Sequence, residues 1–190
     1  AIAEALAAAG AEVTLVSGPV QEPDPAGARM VRVESAEQML AACRRALPVE
    51  IAVCVAAVAD WRVATPADQK LKKVGGEGPP VLALTENPDI LRTLSRPGPE
   101  RPGLVIGFAA ETEDVTANAR RKLSSKGCDW LLANDVSAAE GTFGGTESRV
   151  QLLRADAEPD LWPRLAKTEI ATRLVARIAA HLRGRAEAAG

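Results

Sequence analysis

Apolar and polar positions alternate along the chain in blocks rather than singly. Three blocks consist almost entirely of apolar residues, at 51–57, 104–110 and 130–133. Unbroken apolar runs of this length are typical of parallel strands that are covered on both faces. Outside these blocks the pattern predicts further strands at 12–16, 30–33, 81–84 and 149–154.

Segments with helical character separate the strands. The predicted helices are 1–9, 36–47, 88–94, 114–126 and 169–182. Ser35 is placed to cap the second of them, and Gln38 completes a weak capping box. The alternation of strand and helix predicts an α/β fold: a single Rossmann-like, doubly wound domain over 1–190, with a mostly parallel sheet and helices on both faces.

The chain opens directly on a helix that has no polar capping residue before it. Gly10 ends this helix in the usual way, but nothing marks its start. We therefore expect a domain that is truncated at its N-terminus and lacks the strand and turn ahead of the helix. In α/β nucleotide folds, that turn usually carries the first phosphate loop.

The composition narrows the classes of function. A net charge of −2 leaves no global basic field, so we expect neither a nucleic acid nor a membrane as a partner. The three cysteines and single histidine show no metal-ligand spacing, which argues against a zinc site and a disulfide scaffold and fits a cytoplasmic protein. The apolar runs are far shorter than the roughly 20 residues of a membrane-spanning helix.

Polar side chains follow each of the three apolar runs. Asp60 comes after the first, Glu111 after the second, and Asn134 with Asp135 after the third. Ligands of open α/β sheets bind beyond the carboxyl ends of the strands, so these residues would meet at one edge. Taken alone, each is more simply explained as the start of a turn.

The segment Asn87-Pro88-Asp89 has two interpretations. Asn is a preferred N-cap and Pro suits the first helical position, so an ordinary helix start at Asn87 and Pro88 is the simpler one. A helix start also presents free N–H groups to an anion, and a nucleotide contact is the alternative.

Five lysines could contact phosphate. Lys122 and Lys126 lie one helical turn apart, where they repel each other unless solvent screens them or a shared anion binds both. Lys70, Lys72 and Lys73 form either a solvated loop or a flap that closes over phosphates. Together with a strand-end carboxylate they would make a metal–polyphosphate site, and the residue types alone leave that site and an ordinary surface equally open.

Several familiar site patterns do not occur in the sequence. The glycine-rich segment at 141–145 is not followed by Gly-Lys-Ser/Thr, and there is no GxGxxG. The sequence has no tyrosine, which excludes a Tyr-x-x-x-Lys oxidoreductase site. The single histidine, His181, is predicted on the closing helix, away from the strand ends, so a Ser/His/Asp triad is not expected.

Seven motifs run through most of the sequence: VTLVSGPV (13–20), AAVADWR (56–62), KLKK (70–73), ENPDIL (86–91), GFAAET (107–112), RRKLSSKGCD (120–129) and LANDV (132–136). In this order and spacing they resemble phosphopantothenoylcysteine synthetase, the ligase half of the bacterial bifunctional coenzyme A biosynthesis protein. The resemblance implies CTP-dependent joining of 4′-phosphopantothenate to cysteine through an acyl-cytidylate. CTP would be a co-substrate, and Mg²⁺ (or Mn²⁺) the cofactor.

The resemblance also implies roles for individual residues. Asp60 would hold the metal on the triphosphate. Lys70 would be catalytic, closing over the phosphates and stabilising the charge that develops as pyrophosphate leaves. Lys122 and Lys126 would bind triphosphate oxygens. The nucleotide pocket would be lined by Cys54, Val55, Ala56, Pro88, Asp89, Ile90, Leu91 and Phe108.

The family pattern further implies a homodimer and a fused or associated flavin-dependent decarboxylase domain, with no FMN expected in this part. Family members carry a strand, a GGT turn and a phosphate-contacting loop ahead of the position where this sequence starts. Trp61 stands where relatives often have tyrosine. The alternatives are a CTP-binding or dimerisation module without catalysis and, less favoured, a Rossmann-type NAD(P) oxidoreductase.

Overall fold

The structure is a computed structural model that describes residues 1–65, 81–136 and 145–189. The strands are β1 (Val13–Ser17), β2 (Ala28–Arg32), β3 (Ile51–Cys54), β4 (Trp61–Val63), β5 (Leu84–Glu86), β6 (Leu104–Glu111), β7 (Trp130–Asp135), β8 (Glu147–Ser148), β9 (Val150–Arg154), β10 (Asp160–Leu161) and β11 (Leu165–Ala166). The helices are α1 (Ile2–Ala8), α2 (Ala36–Ala46), α3 (Ile90–Ser95), α4 (Val115–Lys126) and α5 (Lys167–Ala189).

The central sheet has the strand order β10-β9-β7-β6-β3. The three predicted apolar runs form β3, β6 and β7, which are mutually parallel, whereas β9 and β10 add an antiparallel edge. The predicted α/β class with a mostly parallel central sheet is therefore confirmed.

Both faces of the sheet are covered by helices, because successive side chains of a strand point to opposite sides. On one face, Leu104 and Ile106 of β6 pack in a buried cluster with Leu174 of α5. On the other face, Val105 of the same strand packs with Leu123 of α4. These two layers explain why the runs that form β6 and β7 contain almost no polar residue.

β1 and β2 form a parallel pair of their own, apart from the central sheet. Within the described residues, β1 pairs only with β2 and β3 pairs only with β6, so each has one edge without a strand partner. α1 contacts the core through Ile2 and Leu6, which pack against the cluster beneath β6. The β1 and β3 edges border a common cleft.

Several element boundaries differ from those predicted. The strand predicted at 51–57 ends at Cys54, because β3 pairs with β6 only as far as the Cys54–Gly107 pair. The strand predicted at 81–84 lies instead at β5, where it pairs with the unpredicted β4. The two-residue strands β8, β10 and β11 were not predicted, because two residues show no periodicity. The closing helix is longer than predicted and spans Lys167–Ala189.

The cap of α2 is as predicted. Ser35 Oγ accepts a hydrogen bond of 3.1 Å from the backbone N–H of Gln38. The Gln38 side chain bonds to the N–H of Glu34 rather than to that of Ser35, so the capping box is displaced by one residue. In the part of the chain that the structure describes, no helix is both long and apolar enough to cross a membrane.

Candidate functional site

A large cleft lies between β1 and β3 and continues along the carboxyl ends of β6 and β7. Its volume is about 1720 Å³, which exceeds the roughly 300–1,000 Å³ of most small-molecule sites. With the exception of Lys70, every predicted site residue lines it: Cys54, Val55, Ala56, Asp60, Pro88, Asp89, Ile90, Leu91, Phe108, Lys122 and Lys126. Lys70, Lys72 and Lys73 lie outside the described residues.

Asp60 does not end a strand, which corrects the prediction. It follows an irregular segment at 55–59 and immediately precedes β4. Its backbone carbonyl accepts a hydrogen bond of 2.8 Å from the N–H of Asn87. The Asn87 amide in turn donates to the carbonyl of Ala59 at 2.9 Å. These two bonds fasten the segment that carries Asp60 to the start of α3, while the residue itself remains exposed at the cleft.

The expected cap of α3 at Asn87 and Pro88 is wrong. The helix begins at Ile90, and its N-cap is Asp89, whose carboxylate accepts a hydrogen bond of 2.9 Å from the N–H of Arg92. The Asn87 side chain bonds elsewhere: its amide donates to the carbonyl of Ala59, and its Oδ1 accepts from Arg62 at 3.3 Å. The helix has only six residues, so its dipole is short. Its contribution to the cleft is to form part of the wall.

Lys126 is held by the capping residue of α3. Its Nζ donates to Oδ2 of Asp89 at 2.6 Å, and both side chains are about one-third exposed. Burial acts to raise the pKa of Asp89, but the hydrogen bonds from Lys126 and the Arg92 N–H, with the charges of both residues, lower the pKa below its usual value. The carboxylate thus stays ionised and ties α4 to α3.

Lys122 has a carboxylate partner of its own. Its Nζ lies 2.7 Å from Oε1 of Glu111, the last residue of β6. The sequence left two possibilities for the lysine pair, solvent screening or a shared anion. The structure adds a third feature: Lys122 and Lys126 bind different carboxylates, one from a strand end and one from a helix start. Glu111 and Asp89 as lysine partners were missed, because neither contact is local in sequence.

Close packing shapes the wall of the cleft beside Phe108. A Cβ added to Gly107 would lie 2.6 Å from Leu91 Cδ2 and 2.9 Å from Leu131 Cδ1. A side chain at this position would force both leucine side chains to shift, so glycine allows α3 to pack closely on β6. Burial raises the pKa of the neighbouring Cys54 thiol to about 12, so this cysteine is protonated at neutral pH and is not a nucleophile.

Asn134 lies at the carboxyl end of β7 and also lines the cleft. Its Oδ1 is buried and makes no hydrogen bond among the residues that the structure describes. A buried acceptor without a donor is costly, so this oxygen is suited to accept one from a ligand or water. The sequence placed Asn134 at this edge without assigning it a role.

The described residues contain no cluster of three or more His, Cys, Asp or Glu that would form a protein-only metal site. Asp60 nevertheless fits Mg²⁺, which commonly takes one or two protein carboxylates and completes its shell with phosphate oxygens and water. His181 lies edge-on to Trp130, the first residue of β7, with ring centroids 5.3 Å apart. The prediction that it sits away from the carboxyl ends is therefore confirmed.

Comparison with known proteins matches residues 1–182 to the family model described as the DNA/pantothenate metabolism flavoprotein C-terminal domain, DFP. The chain belongs to the DFP family. It is 40% identical over 179 residues to the coenzyme A biosynthesis bifunctional protein CoaBC of Vibrio vulnificus strain YJ016. The matched region covers 94% of this chain and 44% of that protein. The CoaBC protein of Mycobacterium bovis is 38% identical over 194 residues, covering 97% of this chain and 46% of the relative.

Solved structures agree with this assignment. The crystal structure of the C-terminal domain of a CoaBC protein superposes with a TM-score of 0.76 at 33% identity, covering 96% of this chain and 81% of that one. A DNA/pantothenate metabolism flavoprotein from Streptococcus pneumoniae has a TM-score of 0.73 at 19% identity, covering 95% and 86% of the two chains, which supports the fold. The resemblance to phosphopantothenoylcysteine synthetase is thus confirmed at the level of the family. The DFP chain spans less than half the length of the curated relatives.

Proposed function

We propose that this DFP domain joins 4′-phosphopantothenate to cysteine in coenzyme A biosynthesis, using CTP. The observation that carries the proposal is the convergence of Asp60, Lys122 and Lys126 on one cleft at the carboxyl ends of the parallel strands. This is where open α/β sheets bind nucleotides. The residues come from separate motifs and line the same cleft, which supports the roles that the resemblance implies.

The reaction would proceed in two steps. The carboxylate of 4′-phosphopantothenate attacks the α-phosphorus of CTP, which forms an acyl-cytidylate and releases pyrophosphate. The amine of cysteine then attacks the acyl carbon, loses a proton and expels CMP. The first step moves negative charge onto the leaving pyrophosphate, and ammonium groups already in place stabilise that charge without reorganisation. Lys122 and Lys126 supply two of these groups, and Lys70 is proposed as the third.

Asp60 would hold Mg²⁺ or Mn²⁺ on the triphosphate. When bound, the ion would neutralise phosphate charge and fix the conformation of the polyphosphate. The protein's contribution is an exposed carboxylate on a segment that the hydrogen bonds of Asn87 keep next to α3.

The base would lie where the end of β3 and the residues after it, at 54–56, meet the start of α3 at 88–91, beside Phe108. Cytosine presents an amino donor and a carbonyl acceptor, so a backbone carbonyl and a backbone N–H can select it without a charged side group. The irregular path of 55–59 leaves backbone groups free of strand pairing, which supports this placement.

The cleft is large enough to hold more than the nucleotide. Among the described residues, the β1 and β3 edges at the cleft have no strand partner, which leaves room for the further strand that the family resemblance implies. We expect a protein extended at its N-terminus by the family's strand and loop to release pyrophosphate from CTP in the presence of 4′-phosphopantothenate. If the extended protein stays inactive, the ligase assignment fails for this sequence.

A homodimer is supported by an apolar ribbon on β4 and β5. Trp61 and Leu84 are 56% and 58% exposed, and Val63, which is paired with Leu84, is 37% exposed. Isolated apolar residues are common on surfaces, whereas a contiguous group marks an interaction site. Light scattering should give twice the chain mass for the wild type and the monomer mass for the W61E/L84E variant.

Calorimetric titration with CTP, with and without Mg²⁺, tests the proposal directly. Binding should require Mg²⁺ and should weaken about tenfold in Lys122→Ala, as expected for the loss of one charged hydrogen bond to phosphate. Arg121→Ala is the matched control, because it removes the same charge from the exposed side of α4. Equal weakening in both variants would mean that only bulk charge is involved. CTP binding without turnover in the extended protein would favour a non-catalytic module, and a preference for NADH would favour an oxidoreductase.

A further inference from the structure

Glu111 stands behind Lys122 rather than in the cleft. Its side chain is only 11% exposed, whereas that of Lys122 is 45% exposed. Lys122 lines the cleft and Glu111 does not. The carboxylate is therefore enclosed by protein on its own side and faces the cleft through the lysine ammonium.

The backbone of Glu111 is fixed on both sides. Glu111 is the last residue of β6 and is in register with Asp135 of β7. Its carbonyl accepts a hydrogen bond of 2.9 Å from the N–H of Val136. The sheet therefore fixes where the Glu111 side chain starts, and with it the position of the carboxylate that attracts Lys122.

The contact between the two side chains leaves the ammonium available to a second acceptor. Oε1 of Glu111 lies 2.7 Å from Nζ of Lys122. A lysine ammonium has three N–H donors, so a contact with one carboxylate oxygen leaves at least two of them for a second acceptor.

We propose that Glu111 is a positioning residue that holds the Lys122 ammonium at the cleft so that it can bind the phosphate groups of the ligand. This inference rests on the proposed function for the identity of that ligand. A lysine side chain has about 2 kcal/mol of rotamer entropy, and a fixed counter-charge reduces the part of it that is lost on binding. Glu111 itself touches neither the ligand nor the metal.

Two substitutions that each remove one negative charge distinguish the positioning of Lys122 from a general change in electrostatic potential. Glu111→Gln keeps the shape and removes the ion pair, whereas Glu113→Gln removes the same charge from an exposed side chain two residues away. If Glu111 positions Lys122, binding of inorganic tripolyphosphate should weaken about three- to fivefold in E111Q. In E113Q, and in E111Q made on a Lys122→Ala background, affinity should stay the same or rise, because only negative charge has been removed. Glu111→Asp keeps the carboxylate and should recover part of the loss.

The reactivity of the Lys122 amine tests its interaction with Glu111 in the absence of any ligand. Acylation by a small reagent, followed by peptide mass spectrometry, should be several times faster in E111Q than in the wild type and unchanged in E113Q. A merely structural role for Glu111 would lower the melting temperature without this selective increase. If E111Q does not fold, the same comparison is made with E111D, in which the amine should react at a rate between wild type and unpaired lysine.

The outcomes distinguish this inference from the proposed function. Selective weakening of tripolyphosphate binding that vanishes on the Lys122→Ala background supports positioning, even if CTP fails to bind and the proposed function falls. Three outcomes would overturn the positioning role. They are equal effects of E111Q and E113Q, an effect of E111Q that persists without Lys122, and absence of tripolyphosphate binding to the wild type.

Discussion

Replacing Gly107 with alanine should damage both stability and the site, because this glycine lets α3 pack onto β6. The new Cβ would lie 2.6 Å from Leu91 Cδ2 and 2.9 Å from Leu131 Cδ1. Leu131 is fully buried, and Leu91 is partly buried beside the α4 face of the core. Overpacking of this kind costs about 1–3 kcal/mol of the free energy of unfolding. For a domain of this size, that lowers the melting temperature by about 2–12 °C.

The displaced atoms belong to two leucine side chains, so the clash can be relieved from one side. Leu91→Ala alone should destabilise the domain by opening space between α3 and the sheet. In the G107A/L91A double variant, part of the destabilisation should be recovered, because the added methyl fills the space. A favourable coupling of about 0.5–2 kcal/mol in this double-mutant cycle is expected.

Urea unfolding of the wild type and the three variants measures these effects, and Gly98→Ala is the control. A Cβ at Gly98 would meet no atom within 4 Å, so this variant should be neutral or slightly stabilised. Full stability in G107A, or additive losses in the double variant, would refute the packing interpretation. Because α3 carries Asp89, G107A should also weaken CTP binding even at temperatures where it remains folded.

Two further predictions concern side chains of the cleft. Asp89→Asn keeps an equally good N-cap but loses the ion pair with Lys126, so it should cost about 0.5–1 kcal/mol at pH 7, since both side chains are about one-third exposed. The folded-state pKa of Asp89 is lowered, so its contribution is complete above the unfolded aspartate value of roughly 4 and is lost as the pH falls through the lower folded-state value. The difference in unfolding free energy between wild type and D89N should therefore shrink as the pH is taken from 6 to about 2–3, and a constant difference would contradict the ion pair. The Cys54 thiol, with its pKa of about 12, should react with iodoacetamide at pH 8 far more slowly than in urea, as peptide mass spectrometry can measure. Equal rates would show that the thiol is accessible and ionised.

The buried strands were the most predictable part of the fold. β6 and β7 have helices on both faces, and that environment leaves an unbroken apolar run in the sequence. The end of β3 could not be found in this way, because Val55, Ala56 and Ala57 are as apolar as the residues before them. What ends the strand is the partner: beyond Gly107, β6 pairs with β7 alone. Register between distant segments is not encoded in local hydrophobicity.

The cap of α3 shows the same limit at a single residue. Asn87 and Asp89 are both good N-caps by local preference, and the sequence favoured Asn87 because Pro88 follows it. Contacts distant in sequence distinguish the two residues: the Asn87 amide donates to the carbonyl of Ala59, 28 residues away, and its Oδ1 accepts from Arg62. These contacts hold the Asp60 segment in place and leave Asp89 to cap the helix and bind Lys126. The predicted site residues that the structure describes thus meet at one cleft through contacts between motifs rather than within them.

The lysine–carboxylate pairs change how the cleft can recognise an anion. Two free ammonium groups would attract any phosphate compound, whereas Lys122 and Lys126 are already balanced by Glu111 and Asp89. A ligand with a single phosphate gains little from a site that is locally neutral. The triphosphate proposed as the ligand would have several charged groups to place at once, so its advantage would come from matching both fixed ammonium groups together. Selection by geometry rather than by total charge agrees with a protein whose net charge is −2 and which nevertheless presents two ammonium groups to one cleft.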